Sequence, residues 1–113
     1  MKSLTSLLNI PYQAFKIVEG VDVYHYTAPP TKEAPYAIWQ EEADDSFNAD
    51  NRKTERSLSG ILDYYTLNDG MIDGNLDALE DAMQTMGATW QLTAVQYEDS
   101  TNLIHFSWDW SVT

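Results

Sequence analysis

The chain has 113 residues, no cysteine, and 18 acidic against 6 basic side chains, for a formal net charge of −12. That length fits one folding unit rather than two, and without cysteine there are no disulfides or thiolate metal sites, which suits a protein completed in a reducing cytoplasm. The charge opposes nucleic acid and anionic membranes as partners, because phosphate neutralisation by Lys and Arg supplies most of the affinity for such surfaces. Hydrophobic residues make up 43% of the chain, so a real core can form.

In chain order, Met1 to Pro11 has neither a sustained apolar run nor a small-residue cleavage site, so no signal peptide is expected. No stretch approaches the roughly 20 apolar residues of a membrane span. Leu4, Leu7 and Leu8 have the spacing of a helical face, and a short N-terminal helix is predicted to stop at Pro11. Val21 to Ala28 reads as a first strand near a sheet edge, ended by Pro29 and Pro30. Tyr36 to Gln40 and Ser57 to Leu67 read as the next two strands, and Gly60 inside the latter signals a bulge or a close backbone approach.

Between them lies the mostly polar stretch Glu41 to Arg56, an unusually long connection of the kind that tends to be functional. Its charges are arranged as a dipole. Glu41, Glu42, Asp44, Asp45 and Asp50 come first, while Arg52, Lys53 and Arg56 supply half of the positive charge of the whole chain. Together with Phe47 these are the candidate interaction residues, carried on a loop or arm of a single domain spanning 1–113.

Asn68-Asp69-Gly70 is turn chemistry, after which Asp73 or Asn75 can cap a helix over about 74–86, with Gly87 in the left-handed terminating position. Leu76, Leu79, Met83 and Met86 fall on one face of it. Thr89 to Glu98 and Asn102 to Val112 then form an antiparallel hairpin, and Ile104, Phe106, Trp108, Trp110 and Val112 alternate strictly towards one side. The fold class expected is α+β: an antiparallel sheet of four or five strands packed on one main helix and a short N-terminal one.

Chemistry is sparse. His25 and His105 lie on separate strands without the neighbouring ligands of a metal motif, and a hydrogen-bonded sheet histidine is the plain reading of each. There is no Gly-x-Ser-x-Gly turn and no phosphate loop. Asp69, Asp73 and Asp77 recur at regular intervals but lack the pattern of a calcium loop. Neither enzymatic activity nor a cofactor is expected. The abundance of Tyr and Trp on predicted strands exceeds what one helix-covered face need bury, and the remainder would suit a protein interface.

Tyr36-Ala37-Ile38-Trp39-Gln40-Glu41-Glu42, followed by Asp44-Asp45-Ser46-Phe47-Asn48-Ala49-Asp50-Asn51-Arg52-Lys53, resembles the matching segment of small neck and tail-completion proteins of tailed phages and prophages of Gram-positive bacteria. Trp90-Gln91-Leu92, Val95-Gln96-Tyr97-Glu98 and Leu103 to Trp110 are similar to that family's C-terminal hairpin, so the resemblance covers roughly residues 20 to 112. It implies an antiparallel sheet flanked by helices and a tail-terminator or head–tail joining role. The implied subunit assembles in the host cytoplasm into a ring-forming homo-oligomer of the virion, with tail-tube and neck or connector proteins as partners. The alternative drawn from charge alone is an acidic DNA mimic that inhibits a host nucleic-acid-binding protein. Arg52, Lys53 and Arg56 interrupt the continuous carboxylate face such a mimic needs.

Overall fold

A computed structural model describes residues 2–44, 47–49, 52–67 and 73–113. The chain is α+β, as expected, with the elements α1 (Leu4–Lys16), β1 (Asp22–His25), β2 (Tyr36–Asp44), β3 (Phe47–Ala49), β4 (Arg52–Glu55), β5 (Leu58–Thr66), α2 (Gly74–Thr85), β6 (Thr89–Glu98) and β7 (Leu103–Val112). Five strands form one sheet in the order β1-β2-β5-β7-β6, while β3 and β4 pair separately as a ribbon. Four of the five strands are antiparallel neighbours, but β1 runs parallel to β2, which makes the sheet mixed. Parallel neighbours need a crossing connection rather than a tight turn, and the ten-residue passage between His25 and Tyr36 provides it.

α1 is capped by Ser3, whose Oγ accepts a hydrogen bond from the Ser6 N–H. Pro11 does not stop it, contrary to the sequence reading; the helix continues to Lys16 and is as long as α2. Leu7, Pro11 and Phe15 are spaced four apart and all are buried, so packing of this stripe outweighs the hydrogen bond lost at proline. α2 begins at Asp73, whose Oδ1 accepts from the Asn75 N–H. It ends where Gly87 takes φ +79° and the Ala88 N–H bonds back to the Met83 carbonyl, a left-handed termination that suits glycine. The Asn68-Asp69-Gly70 turn lies outside the described residues.

Strand alternation determines what is buried. Along β5, Leu58, Gly60, Leu62, Tyr64 and Thr66 are buried, with partly buried residues between them. The register aligns these positions with Ala37 and Trp39 on β2 and with Phe106, Trp108, Trp110 and Val112 on β7. Both helices cover this face: Leu7 and Phe15 of α1 and Leu79 and Met83 of α2 complete the core, with Leu76 and Met86 packed at its margin. The Phe15 ring lies 5.5 Å from that of Trp39 and 6.4 Å from that of Trp110, and the Trp108 Nε1–H donates to Glu80 at 2.9 Å. The pairing of the C-terminal hairpin with α2 therefore follows the sequence expectation. Gly60 meets both parts of its own: the Trp110 indole lies against it, and the β2–β5 register shifts between Glu41 and Ala43 just opposite.

Candidate interaction surface

Within segment 41–56 most of the described residues are strand. β2 continues through Glu41, Glu42 and Asp44, with Asp44 opposite Leu58. Phe47 and Ala49 then stand opposite Glu55 and Arg52, and Asn48 opposite Lys53. The stretch is mostly polar and its apolar residues are few, so the sequence carries no sustained period-two signal of a half-buried strand. A two-stranded ribbon needs no buried face, only main-chain pairing. The molecule measures 52 × 26 × 25 Å and its radius of gyration is 15.4 Å, against about 13 Å expected for a compact chain of this length. It is elongated, and the ribbon strands pack chiefly on each other.

The candidate residues therefore divide by place. Glu41, Glu42 and Asp44 belong to the end of β2, and Phe47, Arg52 and Lys53 to the ribbon. Asp45 and Asp50 lie outside the described residues. Arg56 stands at the ribbon's root, where its Nε–H donates to Asp44 Oδ2 at 2.8 Å, with both side chains about four-fifths buried. In the sequence the acidic and basic halves are separate stretches; at this pair they meet within one chain.

Glu41 has a setting of its own. Its Oε2 lies 2.8 Å from His25 Nε2, and its Oε1 accepts from the Tyr26 hydroxyl. The His25 ring stacks on Trp39 at 3.8 Å and on Tyr26 at 3.7 Å. Tyr26 has φ +71°, a conformation costly for a bulky residue and one that persists when its surroundings hold it. Its main-chain N–H is fixed on the Trp39 carbonyl at 2.9 Å. Thr5, Asn9 and Tyr12 of α1 line an open pocket of about 400 Å³ beside this group. A carboxylate among ring faces can receive a cationic side chain. Only the acid of this group was legible in the sequence; the rings around it come from α1, β1 and β2, which no local pattern connects.

The uncovered face of the sheet is polar and aromatic in rows. One row runs Asp22, Tyr36, Tyr65, His105, Gln96, and the next Tyr24, Ile38, Asp63, Ser107, Ala94. Tyr36 stacks on Tyr65 at 5.1 Å and Tyr65 on His105 at 4.4 Å. Burial, aided by the Asp63 charge, pushes the Tyr65 phenol up to about 12. All four tryptophans are on the helix side, so the expected surplus on this face is made of tyrosines.

Asp63 Oδ1 takes hydrogen bonds from both His105 Nε2 (2.8 Å) and Ser107 Oγ (2.6 Å). The carboxylate stands between the other two, so the imidazole does not contact the hydroxyl as a base activating a serine must. The arrangement is a bridge between β5 and β7. Asp73 is occupied as a helix cap and as acceptor for the buried Tyr64 hydroxyl at 2.9 Å. Among the described residues no cluster of three or more metal-ligating side chains occurs, and no helix is long and apolar enough to cross a membrane.

Fold and surface together define the class: a small acidic α+β domain with a mixed five-stranded sheet, two helices on one face and a projecting β-ribbon. No protein-family model matches the chain, and no curated protein matches it at a significant level.

Proposed function

We propose that this chain is a structural subunit of the neck or tail of a tailed phage, acting as a tail terminator or head–tail joining protein through protein–protein contacts. The observation that carries the reading is the ribbon. A short domain that extends two paired strands beyond its own core, with the acids Glu41, Glu42 and Asp44 on the strand leading into the ribbon and Arg52 and Lys53 on the ribbon's second strand, has the form of a protein that grips a neighbour. A contact of this kind between identical subunits is head to tail, and it makes a ring when the rotation closes. The sequence resemblance over residues 20 to 112 supports the same role, and the α+β fold agrees with what that resemblance implies.

The test is particle morphology in phage carrying Arg52→Glu and Lys53→Glu together, with Arg56 left intact because it anchors the ribbon internally. Tails of irregular length or heads without tails are the expected result. Normal, infectious virions would overturn the assignment of the ribbon. Deletion of the whole gene separates this reading from the DNA mimic, because loss of a host-directed inhibitor leaves particle structure intact.

A further inference from the structure

The sheet has two unlike edges. β1 offers four residues, whereas β6 offers ten, hydrogen-bonded to β7 on one side only. Long edges are ordinarily guarded by lysine or proline, because their free N–H and C=O groups accept another strand. β6, Thr-Trp-Gln-Leu-Thr-Ala-Val-Gln-Tyr-Glu, has neither, and its one charge is Glu98 in a chain with 18 acids. Leu92, Val95 and Tyr97 are 41%, 54% and 60% exposed. The register places all three on the helix-covered side of the sheet, in line with Trp108, Phe106 and Ile104, yet the helices leave them bare.

We propose that the β6 edge pairs with β6 of a second copy, antiparallel about a two-fold axis, joining two sheets into one. The bulge in β6 identifies the occupant. Register shifts between Leu92 and Ala94, so side-chain alternation skips once, and Trp90 and Leu92 share a face with Val95 and Tyr97 although their numbers differ in parity. A regular strand pairs with itself only between positions of equal parity, since a one-residue slip exchanges the faces. β6 keeps its faces along the whole strand only when unlike parities meet. The register using all ten residues sets Leu92 opposite Val95 of the second copy, Trp90 opposite Tyr97, Gln91 opposite Gln96 and Thr89 opposite Glu98.

No two like charges meet in this arrangement. The two Glu98 residues lie at opposite ends, separated by about 30 Å of strand, well beyond a screening length of about 8 Å. Trp90 is partly covered by α2 through its Nε1–H bond to Gln84, whereas the Tyr97 end is bare; antiparallel pairing brings each covered end beside the other copy's bare one. The contact is isologous and closes at two. It does not rest on the virion reading and uses a different surface from the ribbon.

The absence of native cysteine makes the register directly testable. Purified Leu92→Cys and Val95→Cys chains, mixed and oxidised, should form a covalent heterodimer, because cross-strand partners fall within disulfide reach. Each variant alone should crosslink far less, its own cysteines standing three residues out of register. Wild-type chain should sediment with the mass of two chains and Val95→Lys with that of one. Melting curves establish that Val95→Lys still folds, and Tyr97→Lys, at another exposed site, repeats the test. A wild-type chain that remains monomeric over its soluble range, a dimer that survives both lysines, or equal crosslinking by single and mixed variants would overturn the proposal. None of these outcomes depends on phage morphology.

Discussion

Gly60 on β5 and Trp110 on β7 are cross-strand partners, and a Cβ built on Gly60 would stand 2.2 Å from Trp110 Cζ2 and 2.3 Å from the Gln40 carbonyl oxygen. The indole thus occupies the space a side chain would need, and the second neighbour is backbone that cannot turn aside. Replacing a strand glycine by alanine ordinarily gains about 0.5 to 1 kcal/mol through chain entropy. Here overpacking decides the sign: Gly60→Ala should destabilise by about 1 to 3 kcal/mol. Urea unfolding with an unchanged or higher midpoint would show that Trp110 does not hold this position.

Trp108 is 1% exposed at the centre of the core and donates to Glu80, so it joins β7 to α2 both by packing and by a charge-assisted hydrogen bond. Trp108→Ala should cost about 3 to 5 kcal/mol through lost transfer energy and the cavity left behind. A melting temperature equal to that of the wild type would remove Trp108 from the core.

Tyr65 supplies a pH dependence. Burial and the nearby Asp63 charge raise its phenol from the ordinary 10.0 to about 12, so the fold favours the neutral form more than the unfolded chain does. Its contribution to stability is complete below pH 10 and is lost as pH rises from 10 towards 12. Burial shifts Tyr64 in the same direction. Stability should fall across this window, and Tyr65→Phe should flatten part of the fall. Superimposable stability–pH curves for the two proteins would contradict the assignment.

What the sequence made legible follows from how each element is stabilised. β7 and α2 bury one face each, and their periodicity is unmistakable: Trp108, Trp110 and Val112 lie in the core with Leu79 and Met83, and the partner strand Thr89–Glu98 has its expected bounds. At Pro11 the local rule for proline predicts a helix end, but the burial of Phe15, four residues on, decides, and α1 continues. The ribbon is not legible in the sequence because its pairing is main-chain and carries no sustained hydrophobic pattern. The surroundings of Glu41 depend on three elements and a left-handed Tyr26, which no linear spacing encodes.

A ribbon whose strands pack chiefly on each other has a kinetic consequence. A two-stranded ribbon is marginal by itself, and local opening is easiest where few apolar contacts must be broken. Amides of Phe47–Ala49 and Arg52–Glu55 should exchange with solvent faster than those of Leu58–Thr66 and Leu103–Val112 in the isolated subunit. Equal protection in the ribbon and the central strands would mean that the ribbon is held by more than its own ladder.

The Asp44–Arg56 pair fixes where that ribbon leaves the sheet. Asp44 is the last β2 residue in register with β5, opposite Leu58, and Arg56 sits two positions before Leu58 on the returning chain. The ion pair therefore closes the ladder just where the five-stranded sheet gives way to the ribbon. Both side chains are largely shielded from water, so Asp44→Ala leaves the Arg56 charge without this carboxylate, and that substitution should cost more than loss of an exposed pair would. In a double-mutant cycle with Asp44→Ala and Arg56→Ala the pair should show a favourable coupling of about 0.5 to 3 kcal/mol. Salt should weaken it less than it weakens a fully exposed pair, because burial limits screening. The same loss should speed amide exchange in Arg52–Glu55 while leaving Ile104–Trp108 unchanged, since these residues pair with Leu62–Thr66 of β5, at the far end from the root. A coupling of zero, or ribbon exchange that does not respond to Arg56→Ala, would show that the ion pair is incidental and that the ribbon's direction is set by the strands alone.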